Sequence, residues 1–441
     1  MIPADGATRD GVVLEPPVRQ KGAGGWRRLL RVLGPGLITG ASDDDPSGIS
    51  TYSVAGATAG LSVLWLALFT TPMMCVVQGM CARIGMVTGF GLAANMRKHV
   101  AAWIVYPIAV LVVVANTFNV GADLEGMAAS ARLVLGLPEP FWVVCFGTAL
   151  ILAQVFWSYK RLVTVTRYLA LCLVAYVITA FVVHPNWGQV LQYAILPHVR
   201  FDAAWITTVV GVLGTTITPY LFFWQSALMV EEDKDRGRVT LSDRRGSSEE
   251  EVADAHLDVN MGMLASNAVM FFIIVTTAST LGAHGKHEVT SAQDAAEALR
   301  PLAGNFTYWL FTLGMVGTGL LAIPALAGSS AYVLAETFAF RSGLGEEPKR
   351  AWRFYLALVL GVVIGMLMGV LRVDPIKALF WSAVVNGLVA VPLVAIVVWI
   401  ATQEKIMGRW VASPIARAWG WTTAAVMALA AIGMFAFLGR S

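Results

Sequence analysis

Three consecutive aspartates, Asp43, Asp44 and Asp45, run into Pro46, Ser47 and Gly48 within an otherwise apolar stretch, GPGLITGASDDDPSGISTYS, residues 34–53. A second stretch, VVGVLGTTITPYLFFWQSALMV at 209–230, sets Gly211, Gly214 and Pro219 among the hydroxyls of Thr215, Thr216 and Thr218. Proline removes a backbone donor and clashes with the carbonyl one turn back. Glycine lowers the cost of unwinding. Both stretches therefore predict helices broken in mid-span, the first at Asp43–Gly48. In a membrane, the carbonyls such breaks expose are tolerated only where they line a cavity or hold a ligand. A charge near the bilayer centre is costly, so carboxylates at a break are best explained by a cation. Carboxylate, hydroxyl and carbonyl oxygens are hard ligands, suited to Mg²⁺, Mn²⁺ or Ca²⁺ more than to copper or zinc.

The elements that must position these groups are membrane helices. Of 441 residues, 57% are hydrophobic and 13% charged, against about 25% charged in a soluble domain. Eleven stretches are long enough to cross a bilayer: 33–58, 61–83, 103–135, 140–158, 161–183, 203–230, 257–281, 305–338, 353–371, 376–401 and 415–438. With eleven spans, every basic cluster falls on one side: Arg27 and Arg28 before the first, Arg97 and Lys98 after the second, Lys160 and Arg161 after the fourth, Lys234 to Arg245 after the sixth, Lys349 and Arg350 after the eighth, and Lys405 and Arg409 after the tenth. Positive charge marks the cytoplasmic side. The N-terminus is thus expected inside and the C-terminus outside. Residues 1–28 read as a disordered cytoplasmic tail and 29–441 as one transmembrane transporter domain. A net charge of +3 does not suggest nucleic acid.

The two breaks open successive groups of five spans. Five is odd, so the second group is inserted upside down relative to the first. That is the inverted-repeat plan of secondary transporters, with the ligand between the unwound helices. The fold class is all-α polytopic, a 5+5 inverted repeat with broken helices 1 and 6 plus an eleventh helix.

Other polar groups are fewer. Asp123 and Glu125 lie in the third span, two apart and so on different faces; they read either as a second charged station, for protons or for the exit route, or as structural groups paired with a basic group or backbone. Asn267, Ser329, Ser330 and Asn386 are interhelical hydrogen-bonding groups, and Asn386 also counts as site-lining. All six histidines fall in loops or at span ends, which argues against a histidine proton relay. Gly361, Gly365 and Gly369 form a small-residue packing face, and the four cysteines read as buried free thiols. The segment 231–256 reads as a solvated connector, and 287–303 as an amphipathic external helix. Nothing in the sequence pairs a nucleophile with a base or cradles a nucleotide, so an enzyme is not indicated. No cofactor and no obligate protein partner are expected beyond the transported ion and the bilayer.

These motifs resemble those of the Nramp divalent-metal transporters over nearly the full length. GPGLITGASDDDPSG is similar to the family's first-helix segment with its Asp-Pro-Gly-Asn motif. ARIGMVTGFGLAANMRK at 82–98 and AQDAAEALRPLAG at 292–304 resemble its stretches after helix 2 and before helix 8. The resemblance implies the leucine-transporter fold, alternating access and a bacterial inner-membrane location. It carries the motif aspartate onto Asp45, with Asp44 beside it. The motif glycine becomes Ser47 and the motif asparagine becomes Gly48. In helix 6 the family's Ala-x-x-Met-Pro-His is Thr215-Thr216-Ile217-Thr218-Pro219-Tyr220, so its methionine is Thr218. Its two helix-6 histidines become Tyr220 and Gln225. Of its helix-3 acidic pair, Asp123 is kept and Val120 replaces the other. The resemblance, with these departures, implies an importer of Mg²⁺ or Mn²⁺, weakly or not proton-coupled. The rivals are a proton-coupled Mn²⁺/Fe²⁺ importer and a sodium-coupled organic solute transporter of the same fold.

Overall fold

The computed structural model of the protein describes residues 35–157, 173–285, 289, 291–369 and 374–438, with helices and turns and no strand among them. The expected tail 1–28 and residues 161–172 of the expected fifth span lie outside the described residues. The first span is two short helices, α1 (Pro35–Asp43) and α2 (Pro46–Ala59). There follow α3 (Trp65–Thr88), α4 (Leu92–His99), α5 (Ala102–Leu135), α6 (Glu139–Phe156), α7 (Val174–Val182) and α8 (Trp187–Ile195). The sixth span is again two pieces, α9 (Ala203–Thr216) and α10 (Pro219–Asp235). The rest comprises α11 (Glu249–Thr280), α12 (Ala292–Glu297), α13 (Thr307–Thr337), α14 (Trp352–Gly369), α15 (Pro375–Thr402) and α16 (Pro414–Leu438). Nine spans among the described residues are long and apolar enough to cross a bilayer, α9 and α10 counting together. The split first span makes ten of the eleven expected, and of the expected fifth only α7 lies among the described residues.

Both helix breaks have one local cause. The side chain of a residue before proline clashes with the ring in the helical conformation, which pushes that residue toward extended backbone. Asp45 before Pro46 has φ −73° and ψ 172°. Thr218 before Pro219 has φ −86° and ψ 133°. Each proline then sits at the first position of the next helix, where its missing N–H costs nothing. The first break is narrower than expected, Asp44–Asp45 only, and Gly48 already lies in the first turn of α2.

Gly211 and Gly214 do not unwind their helix; both are inside α9. Gly214 instead allows contact with α15. A Cβ there would sit 2.0 Å from the Ala383 carbonyl oxygen and 2.4 Å from the Gly387 nitrogen. The same device holds α1 against α11, where a Cβ on Gly36 would meet Val259 N at 2.5 Å and one on Gly40 the Gly262 carbonyl at 2.4 Å. Asp258 of α11 then accepts the Gly36 amide at 2.6 Å. Gly214→Ala is therefore expected to destabilise by about 3 kcal/mol or more, at or beyond the top of the usual overpacking range. Gly361→Ala is the control. Nothing lies within 4 Å of a Cβ there, and alanine favours helix by about 1 kcal/mol. Thermal unfolding in detergent should show the first variant falling and the second unchanged or rising. Of the expected packing face, Gly365 and Gly369 meet neighbours and Gly361 does not.

Two further expectations change, and one is refined. The segment 231–256 is largely solvent-facing, as expected, but it is also folded. α10 runs on to Asp235, Arg238 bridges Asp233 at 2.9 Å and also pairs with Glu251, and capping boxes start the short helix Leu241–Arg244 and α11. The amphipathic segment forms α12 and a second short helix, Arg300–Ala303, with Ala295, Ala296 and Leu299 buried. Cys145 is exposed, unlike Cys81. It lies on α6, whose Phe141, Val144 and Leu152 also face outward, as do Leu360 and Leu367 of α14 and Leu429 and Phe435 of α16. An apolar exterior of this extent is the surface a bilayer covers.

Candidate functional site

The two breaks meet at the centre of the bundle. A Cβ on Gly48 would stand 3.4 Å from both the Asp45 Oδ1 and the Thr215 Oγ1, so glycine at 48 leaves the space between the two half-helices open. The Tyr220 hydroxyl, in the first turn of α10, donates to the Ser42 carbonyl at the end of α1 at 2.6 Å. The Tyr52 hydroxyl of α2 lies 3.3 Å from the Thr216 Oγ1 of α9. Each link joins one broken helix to the other, and the carbonyl taken by Tyr220 is one the break left without a helical partner.

Asp45 has two tasks in this geometry. It is the N-cap of α2: Oδ1 accepts the Gly48 amide at 2.6 Å and the Ser47 hydroxyl at 2.8 Å. Its Oδ2 accepts the Asn119 amide of α5 at 3.2 Å, and Ser382 of α15 donates to Asn119 Oδ1 at 2.7 Å. Its carboxylate is therefore held directly from α2 and α5, with α15 bracing the Asn119 amide. Asp43 and Asp44 turn to α11, where the Ser266 hydroxyl lies 2.6 Å from Asp43 Oδ2 and 3.2 Å from Asp44 Oδ1. One hydroxyl proton serves only one of them at a time, and Asp43 Oδ1 has no partner among the described residues. Asp123 is fully buried with neither oxygen in a well-formed hydrogen bond, though the Ser47 amide lies near it. Tyr220 is within electrostatic range of Asp43, Asp44, Asp45 and Asp123 together.

No Lys or Arg pairs with any of these four carboxylates among the described residues. Unpaired buried charges cost several kcal/mol each. Four so close together require protons or a cation. Of the expected site-lining groups on α10 and α15, Thr218 Oγ1, both amide atoms of Gln225 and the Asn386 Oδ1 are buried without partners among the described residues. Asn386 lies one turn from Ser382 on α15, on the same face. Glu125, by contrast, sits apart from the breaks, beside a cavity at the end of α5.

The sequence did not single out Ser266, Asn119 or Met270. Asn119 was visible as an intramembrane amide one turn before Asp123. Ser266 precedes the Asn267 already noted, and Asn267 itself pairs with Thr70 and Thr71. Met270 had no signal. Its sulfur lies 3.6 Å from the Thr216 Oγ1, whose single proton goes to the Val212 carbonyl at 2.6 Å, so a thioether does stand beside the second break.

The Nramp family profile, natural resistance-associated macrophage protein-like, matches residues 36–436. The chain is 28% identical over 406 residues to the divalent metal cation transporter MntH of Acidiphilium cryptum (strain JF-5), covering 88% of this chain and 86% of that one. It is 24% identical over 397 residues to MntH of Brucella suis biovar 1, covering 88% and 84%. Among solved structures it is similar to a manganese transporter of Eremococcus coleocola, with TM-score 0.71, 17% identity and coverage of 93% of this chain and 87% of that one. It is similar also to Mhp1, a nucleobase-cation-symport-1 family transporter, with TM-score 0.51, 14% identity and coverage of 92% and 93%. At these identities the solved structures speak to the fold, the 5+5 arrangement with broken first and sixth helices.

Proposed function

The chain belongs to the Nramp family, and from that premise we propose that it carries divalent metal cations across the bacterial inner membrane by alternating access, with Mg²⁺ or Mn²⁺ as cargo and weak or no proton coupling. The observation that supports this best is the group of four buried carboxylates without a cationic partner where the two breaks meet. Asp45 is the principal ligand, since it alone of the three faces Gly48 and Thr215. Thr215, Thr218 and Gln225 supply neutral oxygens, and Asp44 adds charge from the α11 side. Asp123, beside Ser47, is the next station along α5.

The choice of ion follows from the donors. Thr218 offers a hydroxyl where the family's thioether would be, and Mg²⁺ takes oxygen ligands while keeping part of its water shell. Tyr220 is spent on Ser42 and is not free to shuttle protons as a histidine would. An organic solute with a carboxylate would meet Asp45 as a like charge, which disfavours the sodium-coupled rival. The distribution of basic loops supports a cytoplasmic N-terminus.

The test is flux of Mg²⁺, Mn²⁺ and Ca²⁺ into proteoliposomes, with internal pH followed at the same time. Uptake of Mg²⁺ and Mn²⁺ without acidification is expected. Mn²⁺ uptake with acidification and no Mg²⁺ uptake would overturn it in favour of the proton-coupled importer.

A further inference from the structure

A cavity of about 490 Å³ opens at the end of the bundle where α5 and α14 finish and α6 and α15 begin. Its walls include Glu125, Arg132, Glu139, Val143, Gly369 and Asp374. Two of its carboxylates have partners. Glu139 meets Arg132 at 3.0 Å, an exposed pair of a kind worth about 0–1 kcal/mol. Asp374 caps α15 through the Ile376 and Lys377 amides and lies 3.5 Å from the Lys377 ammonium.

Glu125 differs from both. It is 7% exposed and borders the cavity, yet it has no hydrogen bond or ion pair among the described residues. The charges that face it are Glu139 and Asp374, both of its own sign. Its stem passes over Gly369, where a Cβ would stand 3.3 Å from the Glu125 Cγ, so glycine at 369 gives this side chain its room. A carboxylate that opens from a buried side chain onto a cavity, without a protein donor among the described residues and facing two others, is a place for a cation.

We propose that this cavity is a second, peripheral site for a hydrated divalent cation, held by Glu125 and Glu139 and loaded before the ion reaches the helix breaks. The proposal rests on the reading above that the chain moves such ions. Room for the water shell is available. Six waters at about 30 Å³ each fill about 180 Å³, well inside the cavity. Mg²⁺-like ions are commonly held by one or two carboxylates with several waters retained. The weak Arg132 pair lets Glu139 turn to the ion, and Glu125 is two residues from Asp123, about 3 Å of helix rise along α5.

Binding of Mn²⁺ alone to the purified full-length chain, counted by electron paramagnetic resonance, tests this apart from transport. Two bound ions are expected in the wild type, one in Asp45→Asn, one in Glu125→Gln and none in the double variant. Equal Mn²⁺ binding by Asp45→Asn and by the double variant would overturn the peripheral site. Two bound ions in Asp45→Asn would instead count against the central assignment, while Glu125→Gln against wild type still decides this one. Arg132→Ala, which releases Glu139, should tighten the peripheral site by up to about fivefold; weaker binding there would count against Glu139 as a ligand. Gel filtration of each variant shows that the fold is retained.

Discussion

Asp45→Asn is expected to cut divalent-cation flux about a hundredfold or more while leaving the protein folded. The two halves of that expectation come from the two tasks of one side chain. As a helix cap, asparagine serves about as well as aspartate. The Oδ1 that takes the Gly48 amide and the Ser47 hydroxyl survives the change, so α2 should begin where it does now. As an ion ligand the amide is neutral. Removing one partner of a buried charge interaction costs about 3 kcal/mol or more, and each 1.4 kcal/mol is a factor of ten. Asp45→Ala loses the cap as well, at about 1 kcal/mol, and should melt lower than Asp45→Asn. Flux in proteoliposomes and thermal unfolding separate the two. Wild-type flux in Asp45→Asn would remove this residue from the ion path.

The breaks were legible because proline dictates the residue before it, and because the residues there were polar. Proline alone would have misled. Pro72, Pro107, Pro324 and Pro392 all lie inside unbroken helices. What set Pro46 and Pro219 apart in the sequence was Asp43–Asp45 on one side and three threonines on the other. The roles of the glycines were not legible. A glycine that weakens a helix and one that admits a neighbour's backbone look alike in a single sequence, and Gly214 proves to be the second kind. Nor could the sequence divide the three aspartates. Their separation depends on Ser266, more than two hundred residues away, which takes Asp43 and Asp44 and leaves Asp45 to Asn119 and Gly48. Contacts at that separation are set by packing, and periodicity within a span carries no record of them.

Thr218→Met bears on ion identity and should shift selectivity about tenfold from Mg²⁺ toward Cd²⁺ and Mn²⁺, a change of about 1.4 kcal/mol. Thr218 stands at the start of α10 in extended backbone, and its buried hydroxyl has no hydrogen-bond partner among the described residues. Losing that hydroxyl therefore strands no other buried group. The substitution brings in a polarizable sulfur, a ligand that favours softer ions, and displaces an oxygen that a hydrated Mg²⁺ can use. The added volume is tolerable if the flexible methionine takes a rotamer toward the space beside Gly48, and otherwise costs about 1–3 kcal/mol by overpacking. Met270 is a built-in comparison. Its sulfur is already close to the second break, 3.6 Å from the Thr216 Oγ1, so Met270→Leu, which removes the sulfur, should move selectivity the opposite way by a smaller factor. The ratio of Cd²⁺ to Mg²⁺ uptake in competition decides the matter. A ratio unchanged in Thr218→Met, with flux intact, would mean that the break at Pro219 presents its backbone rather than this side chain to the ion.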